Sequence, residues 1–280
     1  MPELPEVETV RRQLAPHLTG RRIASVAVLD PRWSEPAPPD QVQDAVAGRT
    51  IESVDRRGKY LTLALEDEVF LVMHLRMTGN LLFVPAAEEA DDPPHLRVRF
   101  ELDDGNRVLF TDQRRFGTGL VLLGHDSLLG YFDARLGVEP LSAEFTPEAL
   151  RAQARGRRAP VKAFLLSQER IAGVGNIYAD EALFRARIHP LRPVGTLRRP
   201  KLAALRDAVV ESLQLGIDSK GATIDDFRNA DGAYGSFQDR FLVHLREGEP
   251  CGRCGTTIRK IRAAGRGTYF CPKCQPRPRA

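Results

Sequence analysis

The chain has 280 residues, enough for two domains with separate cores, and its 42% hydrophobic and 28% charged residues are those of a globular protein. No apolar run approaches the roughly 18 residues of a membrane span. The N-terminus lacks the charged, apolar and cleavage-site order of a secretory signal, so membrane and export classes are set aside and a cytoplasmic location is expected. The net charge of +4 favours a polyanionic partner, the more so because residues 251–280 hold eight basic side chains and no acidic one.

In chain order, Val7, Val10, Leu14 and Leu18 recur at helical spacing, with prolines tolerated in the first turn; Pro16 and Gly20 are expected to end this helix. Residues 21–29 read as a strand, and 30–40, with four prolines, as a loop. Asp40 then caps a short helix through Val46. From 50 to 123 the pattern turns to strands: 51–57, 59–65 with Leu61, Leu63 and Leu65 alternating, 69–75, and 96–102, which returns through Asp103-Asp104-Gly105-Asn106 at 107–111. Many short strands separated by turn signals predict an antiparallel β-sandwich. The acidic, proline-containing segment 86–94 reads as a solvated loop.

Composition changes after Gly137-Val138-Glu139-Pro140, and residues 137–146 are read as a linker. Thr146-Pro147-Glu148 is a helix start, and helices are predicted at 147–155, 161–167, 176–186 and 200–215. Residues 219–236 are polar, glycine-containing and aperiodic, the marks of a loop of functional length. The resulting division is an N-terminal domain at 1–136, a helical domain at 147–240 that includes this loop, and a C-terminal module at 241–280. The fold class is α+β in two domains.

The strongest chemical signal is Cys251-x2-Cys254 followed, after sixteen residues, by Cys271-x2-Cys274. Paired thiolates at this separation suit tetrahedral Zn2+ in a zinc ribbon. Two disulfides are the alternative, disfavoured because nothing points to export. With no open position and no neighbouring His or Glu, one structural zinc ion is expected. Gly173-Val174-Gly175-Asn176 opens a helix and offers N–H groups to a phosphate, although such a turn also simply joins packed helices.

At the other end, Pro2 would carry a secondary amine once Met1 is removed. An α-amino group titrates near pH 7.7–8, so much of it is neutral at pH 7, and a helix N-terminus lowers that value further. Such an amine is a nucleophile with Glu3 beside it as a general acid, and an iminium formed on it is charged at once. Glu3, Glu6 and Glu8 equally describe an ordinary helix start that complements the dipole.

Taken together, the motifs resemble the formamidopyrimidine-DNA glycosylase family over nearly the whole chain. They are Pro2-Glu3-Leu4-Pro5-Glu6-Val7-Glu8-Thr9, Arg57-Gly58-Lys59-Tyr60-Leu61, His74-Leu75-Arg76-Met77-Thr78-Gly79, Asp112-Gln113-Arg114-Arg115-Phe116-Gly117, Ala172-Gly173-Val174-Gly175-Asn176-Ile177-Tyr178 and Gly265-Arg266-Gly267-Thr268-Tyr269-Phe270-Cys271-Pro272-Lys273-Cys274-Gln275. The resemblance implies an N-terminal β-sandwich carrying the first helix, a helix-two-turns-helix domain and a zinc ribbon. It implies a monomer that acts on double-stranded DNA containing a damaged base.

By the same resemblance, Pro2 attacks C1′, Glu3 protonates the sugar ring oxygen, Lys59 contacts phosphate near the lesion, and Glu6 organises the pocket. The excised bases are 8-oxoguanine and formamidopyrimidines, and β,δ-elimination then cuts the strand. Met77, Arg114 and Phe116 fill the space left by the extruded nucleotide, His74, Asn176 and Arg266 grip phosphates, Lys162 lies near the lesion, and 219–236 caps it. Two other readings remain: an endonuclease VIII-like enzyme for oxidised pyrimidines, from which Leu4 and the long loop distinguish the chain, and a non-catalytic binder of damaged DNA. One departure from the family pattern is His244-Leu245, where an aromatic residue and glycine are expected.

Overall fold

The computed structural model describes residues 1–88, 91–224 and 227–277. Glu89 and Ala90 of the expected acidic loop, Asp225 and Asp226 of the expected capping loop, and Arg279 of the basic tail lie outside the described residues. The chain divides into two compact units, one of residues 1–134 with 219–236 and one of 135–218 with 237–280.

The first unit opens with α1 (Leu4–Leu18). Pro5 occupies its first turn, where a missing N–H leaves no bond unmade, and the apolar positions Val7, Val10, Leu14 and Leu18 are all buried. Pro16 does not end this helix as expected: it sits in the last turn, and the break comes at Thr19 and at Gly20, whose φ is +82°.

Two four-stranded antiparallel sheets follow. One runs β1 (Ile23–Val28), β6 (Leu96–Leu102), β7 (Arg107–Asp112), β5 (Gly79–Val84); the other runs β2 (Ile51–Arg57), β3 (Tyr60–Leu65), β4 (Val69–His74), β8 (Thr118–Leu123). Side chains from both sheets and from α1 share one core, which includes Leu14, Ile23, Leu61, Leu71, Phe100 and Phe110. This is the expected β-sandwich, with α2 (Pro39–Val46) packed on β1 and α3 (His125–Asp133) following β8. Trp33, the one tryptophan of the sequence, lies edge-on to Phe100 and Phe110, and it fills the space a side chain would need at Gly119.

Residues 219–236 complete this unit. Phe227 and Ala230 are buried in its core, and Ala230 O accepts the Phe83 N–H at 2.8 Å. Sequence order groups the segment with the helices, whereas its contacts group it with the sandwich.

In the second unit, α4 (Pro147–Ala154) is capped by Thr146 and followed by α5 (Val161–Leu166), α6 (Asn176–Arg185) and α7 (Arg199–Asp218). Residues 137–146, read as a linker, are packed into this unit: Gly137 N–H donates to Gln168 O, Val138 bridges to Ile171, and Phe145 is fully buried. A hairpin of β9 (Arg259–Ala263) and β10 (Arg266–Phe270) closes the chain over the four cysteines. Among the described residues no helix is long and apolar enough to cross a membrane.

Candidate active site and nucleic-acid interface

The start of α1 is built by its carboxylates. Glu3 is the N-cap, and it forms a reciprocal capping box with Glu6, whose Oε2 accepts the Glu3 N–H at 2.8 Å. Glu6 Oε1 accepts the Ala222 N–H at 2.7 Å, so one buried carboxylate ties the helix start to residues 219–236. The neighbouring Gly221 has φ +80°, and a Cβ there would crowd the Glu6 side chain. Pro2, Glu3 and Glu6 are all buried at this positive helix end.

A second clamp joins Glu8, which the sequence marked only as part of a helix start, to Arg56. Arg56 donates to Glu8 Oε2 at 3.0 Å and to Gly58 O at 3.0 Å, which fixes the β2–β3 turn carrying Lys59 against α1. Burial opposes the Glu8 charge, but hydrogen bonds from Arg11, Arg12 and Arg56 outweigh it and hold the carboxyl at about 2. Only the i+3 and i+4 spacing of Arg11 and Arg12 from Glu8 signalled this in the sequence. Lys59 is itself buried.

His74 ends β4 opposite Tyr60, whose ring meets it edge-on at 4.6 Å. Its Nδ1 accepts the Arg76 N–H at 2.9 Å, which leaves Nε2 as the protonated nitrogen. Burial, reinforced by the Arg76 and Lys59 charges, lowers its pKa to about 3. The ring is therefore a neutral N–H donor.

Loop 75–78 leads into β5 and loop 112–117 leaves its partner β7, with Gly79 opposite Asp112. Buried Asp112 accepts the Thr78 hydroxyl and the Arg114 N–H on Oδ1, and the N–H groups of Phe116 (2.8 Å) and Gly117 (2.6 Å) on Oδ2. Arg115, at φ +59°, makes a two-pronged pair with buried Asp30 at 2.5 and 2.7 Å. Hydrogen bonding from Arg115 holds the Asp30 carboxyl below its usual range. On this braced backbone Met77 and Phe116 stay 37% and 50% exposed, and the Arg114 guanidinium lies 4.8 Å from the centre of the Phe116 ring.

In the second unit Asn176 begins α6. Gln168 braces the turn before it, accepting the Gly173 N–H and donating to Val174 O. Asn176 Nδ2 donates to Gly267 O at 3.1 Å, which brings the helix N-terminus to the β9–β10 hairpin, where Arg266 is exposed. Lys162, expected among the DNA contacts, is fully buried, with Nζ 2.7 Å from Asp180 Oδ1.

The four cysteines are unbridged, and their Sγ atoms all lie within 4.8 Å of one another. A tetrahedron of sulfurs about 2.3 Å from zinc has edges of roughly 3.8 Å. Cys251–Cys274 at 4.0 Å and Cys254–Cys271 at 3.5 Å suit that cage. Hydrogen bonds from Thr256 lower the Cys254 thiol to about 6, while burial and the neighbouring thiols push Cys274 up to about 12. Zinc must therefore displace protons as it binds.

A helix-capped sandwich with a buried carboxylate cluster, and a helical unit closed by a four-cysteine ribbon, define a metal-stabilised two-unit protein with basic and apolar side chains on display. Family models match along the chain: the formamidopyrimidine-DNA glycosylase N-terminal domain at 1–119, its H2TH domain at 136–228, and a zinc finger found in FPG and IleRS at 248–277. Formamidopyrimidine-DNA glycosylases of Chloroflexus aurantiacus and Chloroflexus aggregans are 48% and 49% identical over 276 residues, 98% of each chain. Lactococcus lactis Fpg, solved with abasic-site DNA, superposes with a TM-score of 0.90 at 36% identity, covering 98% of this chain and all of the other. The same enzyme has also been solved with DNA containing Fapy-dG and with DNA containing an oxidised pyrimidine. The chain belongs to the formamidopyrimidine-DNA glycosylase family.

Proposed function

We propose that this protein is a base-excision-repair enzyme, a bifunctional DNA glycosylase and abasic-site lyase that removes oxidised purines from duplex DNA through its N-terminal proline. The observation that carries the reading is the buried helix start, where Pro2 is flanked by Glu3 and braced by Glu6, with the Lys59 turn clamped to the same helix. With Met1 removed, the Pro2 nitrogen attacks C1′ and the base departs with the electrons of the glycosidic bond; Pro2 then gives up its proton, Glu3 protonates the ring oxygen, and the C1′–O4′ bond breaks to leave the iminium. The resulting iminium acidifies C2′. Loss of that proton expels the 3′ phosphate, and a second elimination expels the 5′ phosphate.

Lys59, His74, Asn176 and Arg266 are assigned to phosphates. His74 contributes as a neutral donor, consistent with its buried ring and its bonded Nδ1. Met77, Arg114 and Phe116 are assigned to the space vacated by the extruded nucleotide, whose removal from the stack costs a few kcal/mol. The exposure of the two apolar chains and the bracing by Asp112 support this role. Residues 219–236 cover the extruded base, and an enzyme working on the chromosome belongs in a bacterial cytoplasm, at the nucleoid.

Borohydride trapping tests the chemistry. A covalent protein–DNA adduct is expected with 8-oxoguanine opposite cytosine, and none with Pro2→Gly or with Met1 retained. Trapping that survives Pro2→Gly would falsify the assignment. Because the Lactococcus enzyme has been solved with an oxidised pyrimidine, a thymine glycol duplex is the informative second substrate. Cleavage of that duplex faster than the 8-oxoguanine one favours the pyrimidine-specific reading.

A further inference from the structure

A buried polar chain runs through the second unit from Lys162 to His244. Lys162 directs its ammonium to three acceptors: Asp180 Oδ1 at 2.7 Å, Thr268 Oγ1 at 2.8 Å and Gly267 O at 3.2 Å. An ammonium has three N–H donors, enough to serve these three acceptors. On the far side of the carboxylate, Asp180 Oδ2 lies 2.9 Å from His244 Nδ1 and accepts the Tyr269 N–H at 3.3 Å. Gly267 O also receives Asn176 Nδ2, so Asn176 and the residue next to Arg266 meet on a single carbonyl.

The His244 backbone is fixed separately. Glu181 Oε1 accepts the N–H groups of Leu242, Val243 and His244 at 2.9–3.1 Å. The adjacent acids of α6 thus divide the work: Glu181 holds the segment leading to the ribbon, and Asp180 meets the imidazole. The ring also packs edge-on against Phe241 and Tyr269.

We propose that His244 is a positioning residue for DNA binding. By donating from Nδ1 to Asp180 it orients the carboxylate that holds Lys162, and through Gly267 O it sets the spacing of the Asn176 amide from Arg266. The inference rests on the reading that Asn176 and Arg266 contact phosphate. A buried carboxylate that loses a donor reorients towards those that remain, which here displaces the Lys162 tripod and the hairpin it holds.

The test compares two substitutions in the full-length, zinc-loaded protein. His244→Asn keeps an N–H donor close to Nδ1 but fills little of the aromatic cluster. His244→Phe keeps the ring packing and removes the donor. Affinity for a duplex with a tetrahydrofuran abasic analogue is measured beside single-turnover rates at saturating DNA, with Asn176→Ala and Arg266→Ala as controls. The expected result is about a tenfold loss of affinity in His244→Phe with an unchanged saturated rate, and His244→Asn within about threefold of wild type.

Packing alone predicts the reverse order. His244→Asn binding no more tightly than His244→Phe, or His244→Phe staying within threefold of wild type, overturns the proposal. Wild-type binding by both controls instead overturns the phosphate reading itself. Should His244→Phe fail to fold, the tautomer of the wild-type ring decides the matter. A long-range 1H–15N spectrum is expected to show His244 protonated on Nδ1, and a proton on Nε2 alone overturns the proposal.

Discussion

Glu6 accepts two backbone amides on its carboxylate, Glu3 N–H within the helix start on Oε2 and Ala222 N–H from 219–236 on Oε1. Glu6→Gln puts an NH2 group against one of those donors, and a buried N–H facing a donor is costly. Residues 219–236 are therefore expected to exchange amide hydrogens at least tenfold faster in Glu6→Gln; unchanged protection at Ala222 would show that the loop is held by other means. His74 shows how burial selects a protonation state. Its folded pKa of about 3 lies below the unfolded value near 6.5, so between these values the unfolded chain binds the extra proton. Its contribution to stability is whole above pH 6.5 and declines as pH falls from there towards 3. Across pH 5–8 the native ring stays neutral, and its NMR resonances are expected not to titrate. The proline and the acids around it were legible in the sequence because they are contiguous. The clamp on Lys59 was not, because Arg56 meets Glu8 across 48 residues.

At the level of elements, the projecting loop 112–117 owes its shape to Asp112, which gathers three backbone N–H groups and one hydroxyl. Asp112→Ala strands those donors and is expected to cost about 2–4 kcal/mol of unfolding free energy in urea, with Asp112→Asn intermediate. A cost below about 1 kcal/mol would mean that the strands alone shape the loop. Strands that alternate, such as Leu61, Leu63 and Leu65 in β3, were readable because one face meets the core. β5 and α3 escaped the reading for local reasons. Gly79 and Asn80 open β5 with no apolar alternation, and α3 buries only Phe132, with Gly124 rather than a polar side chain at its N-cap. Leu245 illustrates a site departing from its local preference: at φ +59° it holds a left-handed conformation that glycine adopts more easily.

At the scale of the whole molecule, the first unit is discontinuous in sequence, since 219–236 returns to it and places Phe227 and Ala230 in its core. A linear reading of composition cannot see such a return, because nothing in a short polar segment says which core it joins. The second unit has its own apolar cluster around the metal site, in which Val243, Ile258 and Tyr269 pack with Cys251 and Cys271. Structural zinc contributes folding free energy directly to the small module that holds it. Chelation is therefore expected to unfold the ribbon, release the hairpin that presents Arg266 and abolish DNA binding. The sandwich core contains no cysteine and holds the one tryptophan, so Trp33 emission reports the first unit without interference. Trp33 is 2% exposed against Phe100 and Phe110, and its spectrum is expected to keep its blue position and its urea midpoint after metal removal. DNA affinity and the far-ultraviolet signal of the ribbon fall in the same sample. A red shift of Trp33 in step with zinc loss would show instead that the sandwich depends on the ribbon for its stability.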